Sequence, residues 1–298
     1  MHDPHCLRLR LLAACRQSYD SIIAGHDPYG IGWADLGPLV ENPKKIPKEP
    51  DVALVGRIPE GVLIVFRGTR PPGKDDKDPV STVRDWLNDA ACVPLRSIYP
   101  GDVHAGFERS VSRLWSDVRS HVERLLADGT KRQLFVTGHS KGGAMAFLAA
   151  WRLARELPGD LVIRVITFAA ARPGGGDFAR AFEADHRIRS TRYEVRLDLV
   201  PGLPPGPDFD AISTIAARLL PGISLNKLPR IYVGVGERIA GGEDLAARGR
   251  QLLATLRGWF TGTRKPLWSP AEVVAMHAID PKSQYALLVG DLAACDHL

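Results

Sequence analysis

The stretch "TGHSKGG", residues 137–143, decides how this chain is read. The apolar run Leu134-Phe135-Val136 leads into it, and a helical stretch from Gly142 to Leu157, closed by Pro158-Gly159, leads out. A buried strand that turns sharply into a helix leaves its corner residue exposed and strained, and small residues two before and two after the corner relieve the crowding. Here the corner is Ser140, and the small residues are Gly138 and Gly142. Such a corner stands at the carboxyl end of an open α/β sheet, where ligands bind. The N–H groups at the start of the following helix favour developing negative charge there. Ser140 is therefore a candidate nucleophile.

Working outward, "DVALVGRI" (51–58) and "GVLIVFRGT" (61–69) read as two strands joined by a hairpin at Pro59-Glu60. Residues 70–80, "RPPGKDDKDPV", are loop by composition, and 82–90 suggest a short helix. Residues 104–129 form a long amphipathic helix on the spacing of Phe107, Val111, Leu114, Val118, Val122 and Leu125. Buried strands follow at 161–173 and 192–201, and another strand at 230–239; 212–220 and 243–260 have helical faces. Upstream, a helix is expected from about Leu7 to Ile23, with Leu7, Leu11, Ala14, Ser18 and Ile22 on one face. Strands alternating with helices in continuous apolar runs predict an α/β class, with a mostly parallel central sheet flanked by helices. All 298 residues are expected to form a single domain.

Composition narrows the function. The apolar fraction is 45%, enough for a sizeable core. No apolar run reaches the roughly 18 residues that span a membrane. The net charge of +5 is mild, and no Lys/Arg stripe interleaved with aromatics supports nucleic-acid binding. Cys6, Cys15, Cys92 and Cys295 form no Cys-x-x-Cys pair and read as free thiols. No segment has metal-ligand spacing, so neither metal nor organic cofactor is expected. "LLAAC" (11–15) imitates a lipoprotein cleavage box, but Arg8 and Arg10 interrupt the apolar core such a signal needs. The expected location is cytoplasmic, or exported without a recognisable signal peptide.

A serine hydroxyl needs a base, and the base needs an orienting acid. In α/β-hydrolases the order along the chain is Ser, then Asp or Glu, then His. Asp198 ends the strand "RYEVRLD" and is the first candidate acid; Asp208 and Asp210 are the alternatives. His277 is the candidate base. It follows a helix announced by the capping sequence Ser269-Pro270-Ala271-Glu272 and precedes a second one starting at Asp280-Pro281. His139 adjoins Ser140 but projects away from the corner, and His121 lies on the polar side of the long helix.

Several motifs in fixed order carry a resemblance: "FRGT" (66–69), "DWLND" (85–89), "HAGF" (104–107), "GHSKGG" (138–143), "TFAAARPGGGDFA" (167–179), "DLVPGLPP" (198–205), "YVGVG" (232–236) and "HAIDPKSQY" (277–285). From about residue 50 to 290 the chain resembles the class 3 lipase family, the fungal- and plant-type α/β-hydrolases. The resemblance implies the α/β-hydrolase fold and a Ser140–Asp198–His277 triad. It implies oxyanion donors at the N–H groups of Thr69 and Lys141. It makes Asp85 and Asp89 supporting residues beside the site, and His104 a buried, satisfied histidine.

Lys141 departs from the family, which usually has leucine there. A cation at a helix N-terminus is mildly unfavourable, so the side chain should face solvent or neutralise a nearby acid, with Asp85 or Asp89 proposed as that partner. The segment 70–83 also departs. Its prolines forbid a continuous helix, and Lys74, Asp75, Asp76, Lys77 and Asp78 leave it no apolar face for a lipid surface. This favours an ester hydrolase for short- to medium-chain acyl esters, with a phospholipase A1 or a long-chain triacylglycerol lipase as the alternative. Segment 208–268, between acid and base, is expected to form a helical cap, and the basic face of 243–260 could contact a membrane surface.

Overall fold

The computed structural model describes residues 7–20, 27–41, 51–69, 93–127, 129, 133–195, 198, 200–204, 206–207, 231–241, 277–279 and 283–291. After α1 (Leu7–Gln17), two short strands, β1 (Asp35–Leu36) and β2 (Val40–Glu41), pair antiparallel with β3 (Val52–Ile58). The chain turns at Pro59-Glu60 into β4 (Gly61–Phe66), closing the expected hairpin with Ile58 opposite Gly61. Next come β5 (Pro94–Arg96), β6 (Asp102–His104), α2 (Ala105–Leu126), β7 (Gln133–His139), α3 (Lys141–Glu156) and β8 (Val162–Phe168). β9 (Gly174–Gly175), α4 (Gly176–Ala184), β10 (Ile188–Val195), β11 (Tyr232–Val233), β12 (Glu237–Gly241) and α5 (Gln284–Asp291) complete the described elements.

The main sheet runs β1-β3-β4-β7-β8-β10-β12, with β2 also on β3. From β4 to β12 every pairing is parallel, so these strands end on one edge. Side chains alternate between the two faces, as a pleated strand requires. Val62, Ile64, Phe66, Leu134, Val136, Ile163 and Val165 pack under α2, α3 and α4. Leu63, Val65, Phe135, Ile166, Phe168 and Tyr193 face the layer that holds α1 and α5. Helix α3 is buried on every side from Gly142 to Ala150, which explains its run of small residues. A second, antiparallel sheet, β11-β9-β6-β5, sits beside α4.

Several boundaries move from their expected places. Helix α1 ends at Gln17, and Ser18 to Asp20 turn away from it, with the Ser18 hydroxyl bonded to the Cys15 carbonyl. The last apolar strand before the proline loop starts at Ile188 and stops at Val195. The stretch 230–239 is two strands in two sheets. Gly236, at φ 82°, turns the chain from β11 to β12, and a side chain there would collide with Ser190. Part of the segment expected as a cap therefore extends the main sheet. The rest of 208–268, the charged loop 70–83 and the short helix at 82–90 lie outside the described residues. Helix α5 starts at Gln284, and the Ser283 hydroxyl caps it by accepting from the Ala286 N–H at 3.2 Å; Asp280-Pro281, expected to start it, lie outside the described residues. Cys15 is free and buried, its thiol pushed up to about 12 by burial; the other cysteines lie outside the described residues.

Candidate active site

Ser140 follows β7 directly and adopts φ 59°, ψ −128°, a region that non-glycine residues seldom enter. Its backbone is held from three directions. The N–H donates to the Phe168 carbonyl at 3.1 Å, and the carbonyl accepts from Gly143 at 3.0 Å and Ala171 at 3.3 Å. The hydroxyl makes no capping bond to the helix it precedes. A Cβ on Gly138 would collide with the backbone of Gly142, and one on Gly142 with the carbonyl of Phe66. Ala169, at the end of the neighbouring strand, is also at positive φ, 52°. Strained residues of this kind persist where the surrounding structure over-determines them, and they gather at functional sites.

The Gly68-Thr69 turn after β4 lies against the same corner; a Cβ built on Gly68 would sit 3.1 Å from Ser140 Cβ. The Thr69 hydroxyl is buried with no hydrogen-bond partner among the described residues. Lys141 is the first residue of α3, where backbone N–H groups lack an intrahelical acceptor. Its side chain reaches back to the start of β3, where Nζ meets Asp51 Oδ1 at 2.6 Å. Asp51 is 3% exposed, and Arg113 approaches its other oxygen at 3.4 Å. The lysine is thus paired, and its acid is Asp51. Asp85 and Asp89, proposed for that role and as supporting residues, lie outside the described residues, as do Asp208 and Asp210.

Asp198 stands three residues beyond β10, its N–H turned back to the Val195 carbonyl at 3.0 Å. One carboxylate oxygen accepts from Val200 N–H at 2.9 Å. The other accepts from His277 Nδ1 at 2.8 Å and from the Tyr285 hydroxyl at 2.8 Å. The Asp198 side chain is 1% exposed and that of His277 is 17% exposed. Tyr285 belongs to α5 and also accepts from Val195 N–H at 3.1 Å. Its burial, and then the Asp198 charge, raise its pKa well above 10, so it remains a donor. Arg172 bonds the Pro201 carbonyl at 3.2 Å and so ties down the loop that follows Asp198. Motif reading assigned no part to Tyr285 or Asp51, although Tyr285 closes the quoted "HAIDPKSQY".

His277 is anchored to the strand end that bears Ser140. Its ring lies 4.4 Å from the ring of His139, and its backbone carbonyl is 2.8 Å from His139 Nε2. His104 is buried, as expected, but only half satisfied. Nδ1 caps α2 by accepting from Gly106 and Phe107 N–H groups at 3.2 and 3.3 Å, while Nε2 has no partner among the described residues. Burial, followed by the charge of Lys141, lowers its pKa from 6.5 to about 3 and keeps it neutral.

The chain is similar to known lipases over its central part. Residues 63–207 match the Lipase (class 3) family. The lipase of Rhizomucor miehei is 30% identical over 149 residues, 48% of this chain and 38% of that protein. A secreted mono- and diacylglycerol lipase of Malassezia restricta is 27% identical over 174 residues, 55% of this chain and 54% of that protein. The chain thus spans about half or less of these curated relatives. Among solved structures, a triacylglycerol lipase with a serine protease triad as its catalytic centre aligns with a TM-score of 0.50 and 26% identity, covering 67% of this chain and 73% of that one. His277 lies beyond the matched family region, so its assignment leans on the Asp198 contact. Over residues 63–207, from β4 to the loop bearing Asp198, the chain is similar to the class 3 lipase family, on an α/β fold with a mostly parallel central sheet.

Proposed function

We propose that this chain hydrolyses glycerolipid acyl esters through an acyl-enzyme on Ser140. The observation that carries the reading is a strained serine at a strand-to-helix corner, preceded by His139, which packs on a histidine whose Nδ1 is fixed by a buried aspartate. In this mechanism His277 Nε2 removes the Ser140 proton as the oxygen attacks the ester carbonyl. Asp198 accepts the Nδ1–H, which sets the tautomer and stabilises the imidazolium that forms. The N–H groups of Thr69 and Lys141 receive the oxyanion, and the Thr69 hydroxyl, without a partner among the described residues, adds a third donor. One such donor is worth about 2.7–4 kcal/mol of barrier. His277 then protonates the leaving alcohol, and water repeats the sequence on the acyl-enzyme.

The similar proteins are lipases, two of them named for acylglycerols, and this supports a glycerolipid ester over a small soluble one. The expectation of a short-chain esterase came from the charged segment 70–83. Acyl chain length is what the experiment reads: hydrolysis of p-nitrophenyl esters of increasing length, and of a triacylglycerol and a diacylglycerol, on both sides of their solubility limits. Turnover that rises once droplets form, with long-chain acylglycerols cleaved, supports the lipase. A plain hyperbola confined to short soluble esters returns the reading to an esterase.

A further inference from the structure

We propose that Tyr19 and His139 are positioning residues for the base, forming a hydrogen-bond chain that pins the backbone of His277 to the strand carrying Ser140. The inference rests on the triad reading above and extends it to two side chains outside the triad. Tyr19 Oη lies 2.8 Å from His139 Nδ1, and His139 Nε2 lies 2.8 Å from the His277 carbonyl oxygen. A carbonyl only accepts, so Nε2 must carry the ring proton. Nδ1 is then a lone pair, and the Tyr19 hydroxyl must donate to it. The chain therefore has one direction and one histidine tautomer: Tyr19 O–H to Nδ1, then Nε2–H to His277.

The placement gives these bonds a purpose. Asp198 holds His277 by its ring, from the loop after β10, while His139 holds it by its backbone, from the end of β7. Base and nucleophile are thus tied to adjacent residues of one strand. Tyr19 also packs against the oxyanion turn, since a Cβ on Gly68 would strike both the Tyr19 hydroxyl and the His139 carbonyl. One tyrosine from the turn after α1 therefore touches the segment of the oxyanion donor and the residue before the nucleophile. His139 can do this without competing for the proton. Burial, and then the neighbouring His277, hold its pKa well below 6.5, so it stays neutral while His277 is charged.

The test uses the full chain with Tyr19→Phe, His139→Gln and His139→Leu. The readouts are kcat and KM on a soluble p-nitrophenyl ester, the rate of Ser140 phosphonylation by a fluorophosphonate, and thermal unfolding. Misplacing a catalytic group by about 1 Å can cost about 100-fold in rate. Tyr19→Phe should lower kcat about tenfold, with KM within about twofold of wild type. His139→Leu should lose about 100-fold, and His139→Gln, whose amide can still donate to His277, should recover much of that loss. Added to His139→Leu, Tyr19→Phe should cost less than it does alone, because the Nδ1 acceptor is already gone. Tyr19→Phe decides the matter even where His139→Leu fails to accumulate: kcat within about threefold of wild type, or a change confined to KM, overturns the proposal. So does His139→Gln falling as far as His139→Leu. A wild-type chain that neither hydrolyses nor labels overturns the triad reading itself, a result distinct from an active Tyr19→Phe.

Discussion

Asp198 accepts from a backbone N–H, an imidazole and a phenol, all at 2.8–2.9 Å, which leaves a 1%-exposed carboxylate fully partnered. Burying a carboxylate without such donors costs several kcal/mol. The tyrosine is the one donor of the three that can be removed without touching backbone or base. Tyr285→Phe deletes a charge-assisted bond of about 1.5 kcal/mol, so kcat should fall about tenfold with little change in KM. Steady-state kinetics on a soluble ester check this, and unchanged kcat would mean that Val200 and His277 suffice to hold the acid. Chain order and the end of a strand made Asp198 legible in the sequence. Tyr285 was not, because its contact spans 87 residues and "SQY" has no local pattern that announces a hydrogen bond to an acid.

Between elements, the junction of β3 with α3 explains the lysine. Lys141 sits at the positive end of α3, where a free cation is unfavourable. Asp51, placed by the first residue before β3, offsets it and is itself neutralised by the lysine. Lys141→Leu should destabilise the fold by about 3 kcal/mol, since it takes the lysine away from a buried carboxylate. Adding Asp51→Asn should restore most of that, and the folded fraction should keep its activity because the Lys141 N–H does not depend on the side chain. Urea unfolding of the three proteins measures it, and a Lys141→Leu protein as stable as wild type would refute the pair's role. That the lysine needed an acid followed from the helix dipole. Which acid did not, because 90 residues separate Lys141 from Asp51. The split of 230–239 has a similar origin: alternation marks a strand but not the sheet it joins, and Gly234 and Gly236 were the local signs of a turn.

Across the whole molecule, two buried histidines couple stability to pH. His104 is held neutral with its pKa lowered from 6.5 to about 3, and His139 is also lowered well below 6.5, in both cases mainly by burial. The unfolded chain protonates these rings below 6.5 and the folded one resists. Their contribution is complete above about pH 6.5 and is lost as pH falls toward about 3. Each group contributes a slope of at most about 1.4 kcal/mol per pH unit, so at pH 5.5 the pair should cost up to about 3 kcal/mol. Denaturant midpoints at pH 7.5 and 5.5 should show this decline, and His104→Gln should flatten it; a level profile would place both histidines in contact with water. At this scale most of the architecture was readable. The hairpin at Pro59-Glu60, the apolar β7 run and the glycine-flanked serine each act within a few residues. The links that close the site, Tyr19 to His139 and His277 to Asp198, join residues far apart in the chain, where local pattern carries no information.

The most direct measurement is the reaction of the wild-type chain with a fluorophosphonate, with the modified peptide identified by mass spectrometry. The account predicts a stoichiometric adduct on Ser140 alone. It also predicts that the adduct is lost in Ser140→Ala and slowed severely in His277→Ala, while both variants remain folded. A folded wild-type protein that leaves Ser140 unmodified, or that carries the adduct on another residue, would contradict it.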